Sequence, residues 1–365
     1  MRPAPYRSLR DLDWTLIFLA MAISGLGVLE IYSATLDTFW RGAWLKQIVW
    51  IGAGLALMWL TTSIDYHTLL GRAPIAYGVT IGLLIATLLV GTQVFGSRRW
   101  IPLPGGIHFQ VSEFAKLVLI LLVARYLSDL KSEKLEAVDL WKLLALVAIP
   151  MILVMKQPDL GTSLTYLPIV GAGVFLAGIR WKYIVASVLI ALLVLPLGWL
   201  VLKDYQKARI ETFLNPNTDP RGSGYQMIQS KIAVGSGGMW GKGVTRGTQT
   251  QLRFLPVPHT DFIFAAFAEE HGFAGTVVAL GLYFLLLMQI VQNAQAAGDR
   301  AGMYVSMSVC MLLLFHLLVN VGMVVGRMPV TGIPLPLMSY GGSSMMSTFM
   351  MLGLVNNVRL RRLVN

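Results

Sequence analysis

The chain has little of what disulfide-built, metal-built or water-soluble proteins depend on. One cysteine, Cys310, in 365 residues excludes a disulfide within the chain and leaves the compartment unreadable from cysteine usage. Its place in an apolar run reads as a small core residue. Five histidines and that cysteine form no His/Cys cluster, and acidic residues alone do not specify a metal. Charged residues are only 13% of the chain against 56% hydrophobic ones. With a mean hydropathy of +0.67 there is too little polar surface to cover a water-soluble globule of this size. What is present instead is a series of apolar stretches long enough to span a bilayer.

Ten candidate spans follow, near 14–34, 43–62, 73–93, 112–128, 140–155, 162–178, 182–202, 262–292, 301–326 and 342–358. The expected fold is an all-α polytopic membrane protein forming a single domain over 1–365. The first span follows the basic start MRPAPYRSLR but is about 20 residues long and lacks a small-residue cleavage site, so it reads as a retained helix. An even count places both termini on one side. With the N-terminus inside, the inner segments hold Arg2, Arg7, Arg10, Arg72, Arg125, Lys131, Lys134, Lys142, Arg180, Lys182, Arg300, Arg359, Arg361 and Arg362, and the short outer connections far fewer cations. Both termini are therefore expected in the cytoplasm.

One outer segment breaks that bias. The loop over about 203–260, between spans seven and eight, carries Lys203, Lys207, Arg209, Arg221, Lys231, Lys242, Arg246 and Arg253. Within it, SGYQMIQSKIAVGSGGMWGKGVTRGTQ alternates a short amphipathic stretch with clustered glycines, whose backbone N–H groups can approach an anion. A phosphate or pyrophosphate suits such a loop. A solvated basic face near lipid headgroups is the plainer alternative. The mouth of the next span carries Asp261. A carboxylate inside a span costs roughly 2.5 to 3.5 kcal/mol at a helix centre and less at the interface, so its presence there points to chemistry.

Further polar groups gather at the same edge. Glu113 and Lys116 lie three residues apart and share a helix face, where they either neutralise one another or serve the site. Lys156 and Asp159 flank Pro158 and Gly161, and a helix cap would explain Asp159 without catalysis. Arg98 and Arg99 stand beside Trp100 as candidate interface anchors. The adjacent Glu269 and Glu270 cannot share a face, so one of them is expected toward the bundle in a structural role. The stretch from Asn320 to Ser344 is too rich in proline and glycine for a regular helix and must be a re-entrant or cavity-lining segment before span ten. Ser339 of this segment is a further candidate for the site.

The run from Arg209 to Phe273, together with GSRRW, SEFAK, KQPDLGTS and PVTGIPLPLMSYGGSS, resembles the RodA/FtsW family of shape, elongation, division and sporulation proteins. The likeness covers nearly the whole chain in order. QSKIAVGSGG, GKG followed by GTQ, and PVTGIPLPL are more similar to the elongation branch than to the division branch. The resemblance implies a ten-helix peptidoglycan glycosyltransferase of the bacterial cytoplasmic membrane that polymerises lipid II on the outer face. It implies Asp261, in HTDFIFA, as the essential carboxylate, with Glu113, Lys116 and Asp159 lining an outward-facing cavity. It also implies a class B penicillin-binding transpeptidase and elongation-complex proteins as partners, besides the membrane and lipid II, and no nucleic acid. Val257 and Val111 depart from the family's usual glutamate and proline, which puts in doubt a second acid at the former.

The chemistry requires a base to take a sugar hydroxyl proton as that oxygen attacks an anomeric carbon, and cations to hold the departing pyrophosphate. Asp261 suits the first task, and its helix N-terminus is expected to keep it ionised and therefore weakly basic. Arg98, Lys116, Lys156, Arg209, Lys231 and Arg246 are the candidates for the second. No fixed metal is expected, although a divalent cation could bridge pyrophosphate and carboxylate. A lipid II flippase is the alternative function, because charged groups and broken helices also mark transporters. The clustering of candidates at one edge, without a convincing internal repeat, argues for one-sided chemistry.

Overall fold

The computed structural model describes residues 11–94, 97–103, 107–130, 135–183, 185–186, 189, 192–193, 204–219 and 222–362. The span expected over 182–202 falls largely outside them, as do Arg2, Arg7, Arg10, Lys131, Lys134, Lys203 and Arg221.

The chain is mostly helical. In order come α1 (Trp14–Thr35), α2 (Ala43–Ser63), α3 (Tyr66–Val90), α4 (Val111–Ser128), α5 (Ala137–Lys156), α6 (Leu160–Leu164) and α7 (Leu167–Leu176). After these stand α8 (Asp204–Leu214), α9 (Ser223–Ser236), α10 (Thr248–Gln251), α11 (Ile263–Gln295), α12 (Arg300–Val324) and α13 (Gly342–Arg361). Aspartates start several of them. Asp13, Asp65, Asp159 and Asp299 each accept a hydrogen bond from a first-turn backbone N–H, of Leu16, His67, Thr162 and Gly302.

Among the described residues six helices, α1, α2, α3, α5, α11 and α12, are long and apolar enough to cross a membrane. Their outer faces carry Phe18, Ile75, Leu89 and Phe284 exposed, a surface that suits lipid and not water. This is a multi-pass membrane protein. The helices α4 and α13 are more polar, and most of their residues are buried. Small residues let backbones approach at these contacts: Gly353 of α13 lies against Met58 and Thr61 of α2, and Gly54 of α2 against Phe349.

The structure departs from the expected elements in three places. The single span expected over 162–178 is two helices, α6 and α7, with Pro168 in the first turn of the second. The chain between α3 and α4 forms a three-stranded antiparallel sheet, β1 (Thr92–Val94), β2 (Ser97–Leu103) and β3 (Ile107–Phe109), in the order β1-β2-β3. The span expected over 262–292 is interrupted: Gly272 has φ 66°, ψ −166° inside α11.

That interruption is filled by main chain. The N–H groups of Lys242 and Gly243 donate to the carbonyls of Glu269 and Glu270 at 3.0 and 2.9 Å, and those of Phe273 and Ala274 donate to Gly238 and Met239 at 2.9 and 3.0 Å. The glycine-rich turn after α9 thus supplies the hydrogen bonds the helix loses, as a backbone away from water requires.

Candidate functional site

Asp261 lies two residues before α11, in a turn closed by Phe262. Two side chains hold its backbone. Asn320 Nδ2 donates to the Asp261 carbonyl at 3.0 Å, and Ser339 Oγ donates to the preceding Thr260 carbonyl at 2.7 Å. Gly332, at φ 72°, lines the carboxylate: a Cβ there would stand 3.6 Å from Asp261 Oδ2.

Three elements bring charge to this point. Arg99 of β2 pairs through Nη1 with Asp159 Oδ2 at 3.3 Å. Asp159 caps α6 and also accepts from Gln110 Nε2 at 3.2 Å. Arg209 of α8 donates to the Thr331 carbonyl at 3.2 Å. Gly161, in the first turn of α6, packs on that same carbonyl with no room for a side chain. Arg99 Nε and Thr331 Oγ1 are buried and make no hydrogen bond within the protein. Such groups are costly unless a ligand or water meets them.

Burial pushes the Asp261 carboxyl above its ordinary value; Arg99 and Arg209 oppose the rise, Asp159 adds to it, and the net direction is upward. The direction runs against the expectation that a helix N-terminus would leave the group weakly basic. Removal from water outweighs both arginines and yields a stronger base.

The other candidates fall in three places. Glu113 and Lys116 form a second, fully buried pair at 2.7 Å, to which Ser347 Oγ adds a hydrogen bond on Glu113 Oε2. Ser339 Oγ accepts from Leu335 N–H while donating to Thr260, so it clasps the irregular segment over 325–341 to the Asp261 turn. Arg98, Lys156, Lys231 and Arg246 are exposed. Arg98 is one strand residue away from Arg99 and so on the opposite face. The end of Lys231 lies against Gly326, and Arg246 sits in the turn beside Gly243, near the α11 interruption and away from Asp261.

Glu269 and Glu270 are both buried, against the expectation that only one would face inward. Glu269 turns toward the loop and accepts from Lys242 Nζ, Gln249 N–H and both Thr250 donors. Glu270 turns toward α1 and accepts from Ser33 Oγ at 2.5 Å. Adjacent helix positions reach different partners, and here each had one.

Sequence reasoning had singled out neither Gln110, Thr331 nor Asn320, and it had given Arg99 no place in the site. The period-two alternation of a strand in GSRRW would have separated the two arginines. The remaining three carry no local signal. Among the described residues no group of three or more His, Cys, Asp or Glu side chains stands close enough to hold a metal.

A half-buried carboxylate flanked by arginines at one end of a multi-pass helical bundle defines a membrane protein with a built polar site. The chain belongs to the FtsW/RodA/SpoVE family of cell cycle proteins, whose profile matches residues 13–362. It is 39% identical to the peptidoglycan glycosyltransferase MrdB of Escherichia coli K12 over 96% of this chain and 94% of that protein. It is 35% identical to the peptidoglycan glycosyltransferase RodA of Treponema pallidum over 98% and 99% of the two chains. Among solved structures it resembles Thermus thermophilus rod shape determining protein RodA, with TM-score 0.72, 32% identity and 96% and 98% of the chains covered. A chain from a peptidoglycan synthase complex that coordinates polymerization and crosslinking superposes with TM-score 0.84, 34% identity and 97% and 99% coverage.

Proposed function

We infer that this protein is a peptidoglycan glycosyltransferase that polymerises lipid II during cell elongation. The observation that carries the reading is the half-buried Asp261 carboxylate beside Arg99 and Arg209, with Arg99 Nε and Thr331 Oγ1 left without partners. Near-full-length relatives named peptidoglycan glycosyltransferases support it.

In this mechanism Asp261 takes the proton of the acceptor sugar hydroxyl as its oxygen bonds to the donor's anomeric carbon, with inversion there. The bond from that carbon to the lipid pyrophosphate breaks, and the electron pair leaves on the pyrophosphate oxygen. The leaving group carries its own charge, so fixed cations serve it better than an acid. Arg99 and Arg209 are the cations that act on the base, with Lys156 exposed beside the Asp159 cap for the incoming headgroup. Glu113 and Lys116 stand behind the site and support it.

The bias of arginine and lysine toward the inner segments supports ten spans with both termini in the cytoplasm, and with that topology this chemistry takes place on the extracytoplasmic face of the bacterial cytoplasmic membrane. A class B penicillin-binding transpeptidase is the fitting partner, since the strands made must be crosslinked. Moving lipid II across the bilayer is the weaker reading, because Asp261, Asp159, Arg99 and Arg209 gather at one end of the bundle, while the acid at the other end, Asp13, is taken up by Arg359, Gln289 and Asn293.

The test is polymerisation of labelled lipid II by the purified chain with its cognate transpeptidase under a crosslinking inhibitor. Wild type is expected to make long strands, and Asp261→Asn, folded to the same thermal midpoint, to make none. Normal polymerisation by the variant sinks Asp261 as the base.

A further inference from the structure

Three carbonyls of the irregular segment over 325–341 hang on side chains of neighbouring helices. Ile333 O accepts from Asn320 Nδ2 at 2.8 Å, Pro334 O faces His316 Nδ1 at 3.1 Å, and Pro336 O accepts from the Tyr283 hydroxyl at 2.5 Å. His316 and Asn320 are four residues apart on one face of α12. His316 differs from the other two in that its second polar atom is also engaged. Its Nε2 lies 3.3 Å from Lys116 Nζ, which in turn lies 2.7 Å from Glu113 Oε1. All three side chains are buried.

The partners fix the tautomer. A carbonyl can only accept, so Nδ1 carries the hydrogen; an ammonium can only donate, so Nε2 must present its lone pair. A doubly protonated ring would set two donors against each other across 3.3 Å. The imidazole is therefore held neutral and in one orientation by groups on α4 and on the irregular segment.

We propose that His316 is a positioning residue for glycosyl transfer. Through Nδ1 it fixes the Pro334 carbonyl, and through Nε2 the Glu113–Lys116 pair fixes the ring. The irregular segment in turn fixes Asp261: Asn320 ties Ile333 O to the Asp261 carbonyl, and Ser339 ties Leu335 N–H to the Thr260 carbonyl. Pro334 sits between those two clasps. The buried pair on α4 thus acts on the base through His316 and the backbone, without reaching substrate. The proposal rests on the glycosyltransferase reading above.

Two measurements separate the proposal from that reading. In the first, lipid II polymerisation by the full chain with its transpeptidase is compared for wild type, His316→Phe, His316→Asn and His316→Gln, with kcat and KM determined separately. Phe, which loses both contacts, is expected to lower kcat at least about tenfold, since small misplacements of a catalytic group cost that much. KM is expected to stay within about twofold, because no substrate contact is removed. Asn, whose side-chain nitrogen occupies the place of Nδ1 and keeps the bond to Pro334, is expected to recover most of the loss. Gln, which reaches Lys116 but not Pro334, is expected to behave like Phe. All three should share a thermal midpoint within a few degrees of one another. Equal activity of Asn and Gln, a change in KM alone, or wild-type kcat in Phe overturns the proposal.

The second measurement needs no activity: nitrogen NMR of histidine-labelled protein, with the His316 signals assigned by their loss in His316→Phe. The expected result is a neutral ring with hydrogen on Nδ1 in wild type and loss of that single tautomer in Lys116→Met. A ring protonated on Nε2 in wild type overturns the proposal even if wild type makes no glycan strands, an outcome that by itself defeats only the glycosyltransferase reading.

Discussion

At the scale of single residues, burial governs titration around the site. His259, two residues before Asp261, is packed between the rings of Trp40 and Tyr340, with centroids 5.5 and 5.9 Å away. Burial lowers its pKa from 6.5 to about 4. Between those values the unfolded chain holds the proton and the folded one does not, so stability falls as pH drops from 6.5 toward 4, by up to about 1.4 kcal/mol per unit. The thermal midpoint in detergent should decline over that range, and His259→Phe should flatten the decline. The same desolvation raises Asp261, so the acid limb of kcat/KM should lie above pH 3.8, the ordinary carboxylate value. A limb at or below that value, measured as polymerisation against pH, contradicts the assignment. Asp261 was legible in the sequence because a charge at the mouth of an apolar run needs a reason. Arg99 was not separated from Arg98, because the strand that sends neighbours to opposite faces had not been recognised.

At the scale of elements, the interruption of α11 carries the clearest prediction. Gly272 combines φ 66° with main chain of Met239, Trp240 and Gly241 packed where a Cβ would go. Gly272→Ala should cost at least about 2 kcal/mol, through a left-handed backbone no L-residue favours and through expulsion of the inserted turn. Gly281, further along the same helix, faces open space, and Gly281→Ala should leave stability unchanged or raise it slightly. Equal midpoints for the two variants in a thermal scan contradict this account. The long helices were readable from their apolar runs. The interruption was not, because a lone glycine in a membrane helix is common and only the Gly237–Gly243 turn gives this one its role. The division of 162–178 into α6 and α7 escaped for a similar reason: Asp159 was visible as a cap, but the short first helix it starts is set by packing against Thr331 and Ile333.

At the scale of the whole molecule, the end of the bundle away from Asp261 is closed by one buried acid. Asp13 caps α1, pairs with Arg359 of α13 at 2.8 Å, and accepts from Gln289 and Asn293 of α11, both at 2.7 Å; its own N–H donates to Asn356. Three helices far apart in sequence meet on this side chain. Asp13→Ala should lower stability by roughly 3 kcal/mol, because a partly buried arginine and two amides lose their common acceptor. A thermal midpoint equal to wild type contradicts that.

The sequence by itself determined the solvent and the class of this protein, because hydrophobicity over twenty-residue windows and the cost of a charge in lipid are local quantities. It also pointed to Asp261, Asp159 and the Glu113–Lys116 pair, whose spacing along the chain is their geometry. Tertiary structure alone decided which cations reach Asp261, how the irregular segment is held, and that Glu269 and Glu270 are both inward. Each of those is a contact between residues tens to hundreds of positions apart, such as Lys116 with His316 or Arg209 with Thr331. Proximity of that kind follows from how helices pack and leaves no mark in any one stretch of sequence.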